Sequence, residues 1–278
     1  MSRPLRIEYP GALYHVTSRG NERKEIFLDR LDRRRFLDLL SVIVRRFGWR
    51  VYAYCLMPNH YHLLLETPRP ELVRGMQQLN GIYARRFNRR HVRSGHLFGG
   101  RFHSILIERD AHLVEVARYV VLNPVRAGIC KLPEDYRWSS YRATAGLEKP
   151  PAFLAADELL RVFASRPDTA RRHYKHACFE PIVEDPWASL RGQIYLGSEH
   201  FAQKAIGLGN GDRLDREIPF PQRDPAPPSL AELFDSHGEQ AMLIAYREHG
   251  YRIGELADHL GCHYSTVSRR LRRLEGGR

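Results

Sequence analysis

The sequence is poor in cysteine, has no long apolar run and, in its second half, carries no excess of either charge. Its four cysteines, Cys55, Cys130, Cys178 and Cys262, lie far apart and form no Cys-x-x-Cys pair. That spacing excludes the usual structural zinc patterns and a disulfide framework, and points to a cytoplasmic chain. No stretch approaches the ~18 apolar residues a membrane span requires, and the N-terminus reaches Arg3 and Arg6 without an apolar signal core, so neither export nor a membrane anchor is expected. The net charge of +12 is unevenly placed. Residues 1–150 hold 27 Lys and Arg against 14 Asp and Glu, whereas residues 151–278 hold 17 against 18. A phosphate-seeking surface therefore belongs to the first half, with nucleic acid as the leading partner.

What is present starts with Pro58-Asn59-His60-Tyr61-His62-Leu63-Leu64-Leu65-Glu66. The apolar run reads as a strand, and alternation along a strand puts His60 and His62 on one surface with Tyr61 and Leu63 on the other. Two imidazoles so placed can share one divalent metal. A lone His-x-His is more often a pair of polar residues on a wet strand face, so a second constellation is needed to raise it.

The 278 residues suffice for one substantial core and a second small module. Residues 12–18 alternate as a first strand, followed by a turn at Gly20-Asn21. Residues 32–47 place Phe36, Leu39, Leu40, Ile43, Val44 and Phe47 at helical spacing, and Gly48 stops that helix. A strand over 49–57 turns through Pro58-Asn59 into the histidine strand. A helix over 70–90 follows, with Arg85, Arg86, Arg89 and Arg90 in its last turns. After a Gly-rich loop flanked by Arg93 and Arg101 comes a strand over 103–108. The order is the split βαβ or ferredoxin-like arrangement, an α+β fold whose four-stranded antiparallel sheet has helices on one face and leaves the other open. A third helix over 111–122 is expected to break at Asn123-Pro124, because proline lacks the amide donor.

Residues 1–145 are thus expected to form one domain. Residues 146–228 read as an accessory helical region that ends in five prolines within the eleven residues 219–229, an extended linker. Residues 229–278 read as a helix-turn-helix module. Ile253, Leu256 and Leu260 are its core positions, Ala257 the small residue at the crossing, Gly261 the turn, and Val267 and Leu271 point inward from a second helix. Arg269, Arg270, Arg272 and Arg273 on that helix can reach phosphates or guanine edges of duplex DNA. A three-helix packing unit with a basic last helix is the plainer alternative.

Tyr119 and Asn123, four apart on the third helix, share a face with Glu115. Beside the histidine pair they give one divalent ion held by two imidazoles and an amide oxygen, with a phenol alongside and basic surface around. That set suits phosphodiester transfer. Tyr119 attacks phosphorus, the DNA stays attached as a phosphotyrosine, and a 3′-hydroxyl leaves, so strands can be rejoined without ATP. Arg19, beside the first turn, is a further backbone contact. His15, on the first strand, could approach the metal, an ordinary polar strand position being the plainer reading, and His96, His103 and His112 have no ligand spacing.

PNHYHLLL resembles the His-hydrophobic-His motif of the HUH single-strand nucleases. LFGGRFHS and RYVVLNPVRAGI resemble the IS200-like single-tyrosine transposases, especially the REP-associated group. Over residues 1–145 the resemblance implies a metal-dependent endonuclease and strand transferase acting on single-stranded and hairpin DNA. His60 and His62 would ligate Mg²⁺ or Mn²⁺, Tyr119 would be the nucleophile, and Asn123 would stand where the family places its third ligand. A non-catalytic helix-turn-helix regulator is the competing reading, and the intact His60, His62, Tyr119 and Asn123 set argues against it.

Overall fold

The computed structural model describes residues 6–180, 186–208, 228–247, 249, 251 and 253–274, without the side chains of Glu239 and Arg272. The proline-rich linker lies outside these residues except for Pro228 and Ser229. Two compact units result. The larger comprises Arg6–Leu190 with Tyr195–Ser198, and the smaller includes Arg191–Ile194 and the chain from Glu199 onward.

The larger unit opens with β1 (Ala12–Arg19), α1 (Arg30–Phe47), β2 (Arg50–Met57), β3 (His60–Thr67), α2 (Leu72–Arg90), β4 (His103–Ile107) and α3 (Arg109–Arg126). The four strands pair antiparallel in the order β2-β3-β1-β4, the ferredoxin-like topology expected from the element order. A short strand, β5 (Tyr195–Leu196), adds to β4 in parallel. The β2-β3 hairpin turns at Pro58-Asn59, between the paired residues Met57 and His60.

Local chemistry sets the helix limits. Asp29 caps α1 by accepting a hydrogen bond from the Asp32 amide at 2.9 Å, and Gly48, at φ +67°, ends it in the left-handed conformation. α2 lies so close to the start of β2 that a Cβ on Gly75 would stand 2.2 Å from the Trp49 ring. Between these helices and the sheet, Phe27, Phe36, Tyr61, Tyr83 and Phe87 form a run of tilted and edge-to-face aromatic contacts.

Two sequence expectations need correction here. The second sheet face is not left open. Leu113, Val116, Ala117, Val120 and Val121 of α3 share a core with Leu13, Cys55, Leu64, Ile105 and Ile107 of the sheet. That core continues past residue 145 through Tyr141 of α4 (Tyr141–Thr144), Leu159 and Leu160 of α5 (Ala156–Arg161), and Ala170, Tyr174 and Cys178 of α6 (Pro167–Phe179). Secondly, α3 does not stop at Asn123 but runs through Pro124 to Arg126. Proline costs a helix interior roughly 3 kcal/mol, but Pro124 is itself buried and Val125, beyond it, packs against the core that α3 shares with the sheet, and burying an apolar side chain returns about 1.5–3 kcal/mol. Packing therefore outweighs the local penalty.

After α7 (Glu199–Leu208), the smaller unit contains α8 (Leu230–His237), α9 (Ala241–Arg247), α10 (Ile253–His259) and α11 (Tyr264–Leu274). Ser229 and Glu232 form a reciprocal capping box at the start of α8. Leu233, Met242, Ala245, Leu256, Ala257, Val267 and Leu271 make its core, and Gly261, at φ +60°, turns α10 toward α11. That is the helix-turn-helix layout read from the sequence, with Ile253 and Leu260 only partly buried at its edge. Among the described residues, no helix is long and apolar enough to cross a membrane.

Candidate active site

Strand register assembles the site. Thr17 of β1 pairs with His62, which pairs on its other side with Cys55 of β2, and Thr17 pairs in turn with His103 of β4. One step along, Arg19 pairs with His60, and His60 with Met57. Directly opposed residues share a face, so His15, Thr17, Arg19, His60, His62 and His103 all emerge on the side that α3 covers only in part. The cleft there has a volume of about 510 Å³, and Arg19, Arg23, His60, His62, Arg101 and His103 are among the residues lining it. Its wall is the Gly-rich loop, tied to the end of β1 by hydrogen bonds from the Gly99 amide to the Arg19 carbonyl and from the Asn21 amide to the Leu97 carbonyl.

The tautomer of His60 follows from its partners. Asn59 Nδ2 donates to the Arg23 carbonyl at 2.9 Å, which fixes the amide's orientation and leaves Oδ1 as an acceptor, 2.7 Å from His60 Nδ1. Nδ1 therefore carries the proton, and Nε2 presents a lone pair. His62 has its Nδ1 2.9 Å from His15 Nε2, while its own Nε2 is buried without a hydrogen-bond partner. Both histidines thus engage Nδ1 inside the protein and keep Nε2 in reserve, with ring centroids 4.9 Å apart. Burial pushes His60 down to about 4 and His62 well below the ordinary imidazole value; nearby positive charge, including Arg19, adds to both shifts. Neutral imidazole is the form that ligates metal.

The Tyr119 ring stands at these histidines, its centroid 6.1 Å from that of His62 and 6.0 Å from that of His15, edge-on to both. Asn123 is one turn further along α3 and donates from Nδ2 to the Tyr119 carbonyl at 2.8 Å, which leaves Oδ1 as the unengaged acceptor of the amide. Among the described residues, no group of three His, Cys, Asp or Glu side chains is arranged to hold a metal ion. The atoms free to face a divalent cation are Nε2 of His60 and Nε2 of His62, and the orphaned Nε2 of buried His62 is the observation that favours one. Glu115 is paired with His112 at 3.1 Å.

Two neighbours, Arg126 and Trp187, had no place in the sequence analysis, and a third, His15, departs from its plainer reading. His15 is buried and bonded to His62, not a plain polar strand residue. Arg126 lies over the Tyr119 ring at 4.6 Å, seven residues on, along the part of α3 that the proline was expected to abolish. Trp187 stacks on His15 at 4.8 Å and meets Tyr119 edge-on at 5.0 Å. The i, i+7 spacing on α3 was a signal for Arg126 had the helix been carried through Pro124; nothing in the sequence linked Trp187 to this place.

The arginines divide. Arg19 and Arg101 line the histidine cleft, and Arg85 and Arg101 line a second groove along α2 with Asn80, Asn88 and His96. Arg86 and Arg89 are exposed on α2, and Arg93 is exposed beside the Phe87 ring. Arg90 is turned inward, bridging Asp29 at 2.5 Å and buried Asp32, so it ties α2 to the start of α1. In the smaller unit Arg269, Arg270 and Arg273 are exposed on α11, while the Arg272 side chain lies outside the described residues.

Comparison with known proteins places the two units. The family described as "Transposase IS200 like" matches residues 9–123, and that described as "Homeodomain-like domain" matches residues 239–278. A Haemophilus influenzae protein described as a REP-associated tyrosine transposase is 25% identical over 154 residues, which is 51% of this chain and 86% of that protein. Among solved structures, a REP-associated tyrosine transposase bound to a REP hairpin aligns at a TM-score of 0.46 and 17% identity, over 56% of this chain and 92% of that one. A Deinococcus radiodurans protein described as a transposase aligns at 0.31 and 21%, over 42% and 95%.

Proposed function

We propose, from the match of residues 9–123 to the IS200-like transposase family, that this chain is a DNA endonuclease and strand transferase that works through a phosphotyrosine. The observation that carries the proposal is the pair of Nε2-presenting imidazoles, His60 and His62, set edge-on beside the Tyr119 ring.

His60 and His62, through Nε2, and Asn123, through Oδ1, would hold a divalent cation, Mg²⁺ or Mn²⁺. When bound, the cation polarises a non-bridging oxygen of the scissile phosphate. Tyr119 supplies the nucleophile. Its oxygen bonds to phosphorus as the bond from phosphorus to the 3′-oxygen breaks, and the phenolic proton ends on the departing 3′-hydroxyl. The product is a 5′-phosphotyrosine whose ester energy is retained, so attack by a second 3′-hydroxyl rejoins strands. Arg126, over the Tyr119 ring, fixes the ring and adds positive charge beside the attacked phosphate. Arg19 and Arg101 in the cleft, with Arg85, Arg86, Arg89 and Arg93 along α2 and its exit, hold the DNA backbone.

The substrate is single-stranded DNA flanking a hairpin of the repeat type for which the curated relative is named. Residues 1–145 carry the chemistry, residues 146–228 support it and link onward, and residues 229–278 bind duplex DNA through α11, with the whole acting in the cytoplasm. Substitutions test the ligand assignment. His60→Ala and His62→Ala each leave one imidazole and one amide, too few to hold a divalent ion tightly. Both variants should bind hairpin DNA near the parent level and fail to cleave it. Parent-rate cleavage with unchanged metal dependence in either variant refutes the assignment.

A further inference from the structure

We infer that His15 is a positioning residue for the proposed metal site, one that sets which nitrogen of His62 is offered to the cation. The inference rests on the assignment of His62 as a ligand and goes beyond it by naming the group that makes His62 competent.

His15 and His62 are diagonal neighbours on β1 and β3, since His15 pairs with Leu64 and Thr17 with His62. Their rings are tilted by only 12°, with centroids 5.1 Å apart and Nε2 of one 2.9 Å from Nδ1 of the other. At that separation the two rings lie edge to edge in nearly one plane, joined by a hydrogen bond, and are not stacked face to face. Trp187 closes the other side of His15. Only 4% of His15 is exposed, so it has no access to DNA.

With both rings neutral, one proton bridges the pair, and it can belong to either nitrogen. If His15 Nε2 holds it, His62 must carry its own proton on Nε2 and has no lone pair to offer. If His62 Nδ1 holds it, donating to His15, then His62 Nε2 is a free lone pair and His15 carries its proton on Nδ1. Each arrangement leaves one nitrogen of each ring unpaired, and His15 Nδ1 and His62 Nε2 are indeed the buried atoms without partners. A cation at His62 Nε2 selects the second arrangement. His15 thus does for His62 what Asn59 does for His60, with an acceptor that holds the proton on Nδ1 and aims the ring. Its own Nε2 is taken up by that bond, so His15 is not a third ligand.

The test is direct Mn²⁺ binding to the full chain without DNA, read by the loss of the free-ion electron paramagnetic resonance signal. His15→Leu keeps the buried volume and removes the acceptor. His15→Gln places an amide oxygen near the former Nε2, whereas His15→Asn is too short and places its amide near the former Nδ1. The expected result is a 10- to 100-fold weaker Mn²⁺ affinity in the Leu and Asn variants, restored to within a few-fold in Gln, with parent-like hairpin affinity in all that fold. A merely structural histidine would give the opposite ranking in metal-free melting and no ranking in Mn²⁺ affinity. If His15→Leu does not fold, the comparison of Gln with Asn decides. His62→Ala in the same titration separates the two levels. Parent affinity in His62→Ala removes the ligand assignment itself; weakened binding there with parent affinity in His15→Leu and His15→Asn overturns only the role of His15.

Discussion

Acid should unfold the larger unit over an unusually narrow range, because His15, His60 and His62, with His103 beside them, are held neutral by burial. Burial pushes His15 down to about 3 and His60 to about 4, and holds His62 well below its ordinary value. Each is lowered in the folded chain from an ordinary value of 6.5, so the unfolded chain takes up protons first as pH falls. The stability contributed by the neutral rings is complete above about pH 7.5 and is lost as pH falls through 6.5 toward the folded values. Each proton that only the unfolded chain binds removes about 1.4 kcal/mol per pH unit. His15 and His62 count fully and His60, at the cleft mouth, counts for less, so the slope near pH 5.5 should be about 3 kcal/mol per unit. Over two to three pH units that removes about 6–9 kcal/mol, enough to unfold a domain in the lower half of the typical range of about 5–15 kcal/mol. Asp29, which Arg90 holds below the usual carboxylate range, titrates beneath that window. All three tryptophans, Trp49, Trp138 and Trp187, belong to the larger unit, so urea unfolding followed by intrinsic fluorescence reports it alone. With a chelator present, the unfolding free energy should fall steeply from pH 7 to 5, and in His15→Leu the slope should drop by about 1.4 kcal/mol per unit. A free energy constant to within about 1 kcal/mol across that range would refute the buried, neutral histidine cluster.

Two further outcomes follow from the charge and the domain layout. Hairpin-DNA affinity should fall steeply with salt, and Arg19→Ala should reduce the slope of log K against log salt by about one, since one phosphate contact is lost; an unchanged slope places Arg19 off the DNA path. Deleting residues 229–278 should leave cleavage of single strands intact and weaken duplex binding several-fold in a gel-shift titration. Unaltered duplex affinity would assign α11 to packing or to a protein partner.

The strands and helices of the first hundred residues were legible because their signals are local. His60 and His62 alternate with buried Tyr61 and Leu63, and α1 carries its apolar residues at helical spacing between an Asp cap and a Gly stop. The site was half legible for the same reason. His60 with His62, and Tyr119 with Asn123, are neighbours in sequence, and the family motifs joined them. What could not be read depended on tertiary contact. Pro124 has a local cost that is offset only by tertiary packing of Pro124 itself and of Val125, and missing it concealed Arg126. His15 and His62 are 47 residues apart and meet only through the β1-β3 register. Trp187 arrives from beyond α6, where the sequence has little periodicity. Arg90 reads as a phosphate contact next to Arg85, Arg86 and Arg89, yet the position of Asp29 and Asp32 beneath it makes it a structural ion pair.

The covalent step gives the sharpest test. On the proposed mechanism, a cation at the histidines and Arg126 together assist attack by the Tyr119 oxygen on the phosphate. Tyr119→Phe keeps the ring's packing against His15, His62 and Trp187 and removes only the oxygen. The full chain mixed with labelled hairpin DNA and Mn²⁺ should yield a denaturation-resistant adduct through a 5′-phosphate, mapped by mass spectrometry to Tyr119. Tyr119→Phe should yield neither adduct nor cleavage while binding the hairpin as the parent does. Cleavage that persists in Tyr119→Phe would show water to be the attacking group and would contradict the account.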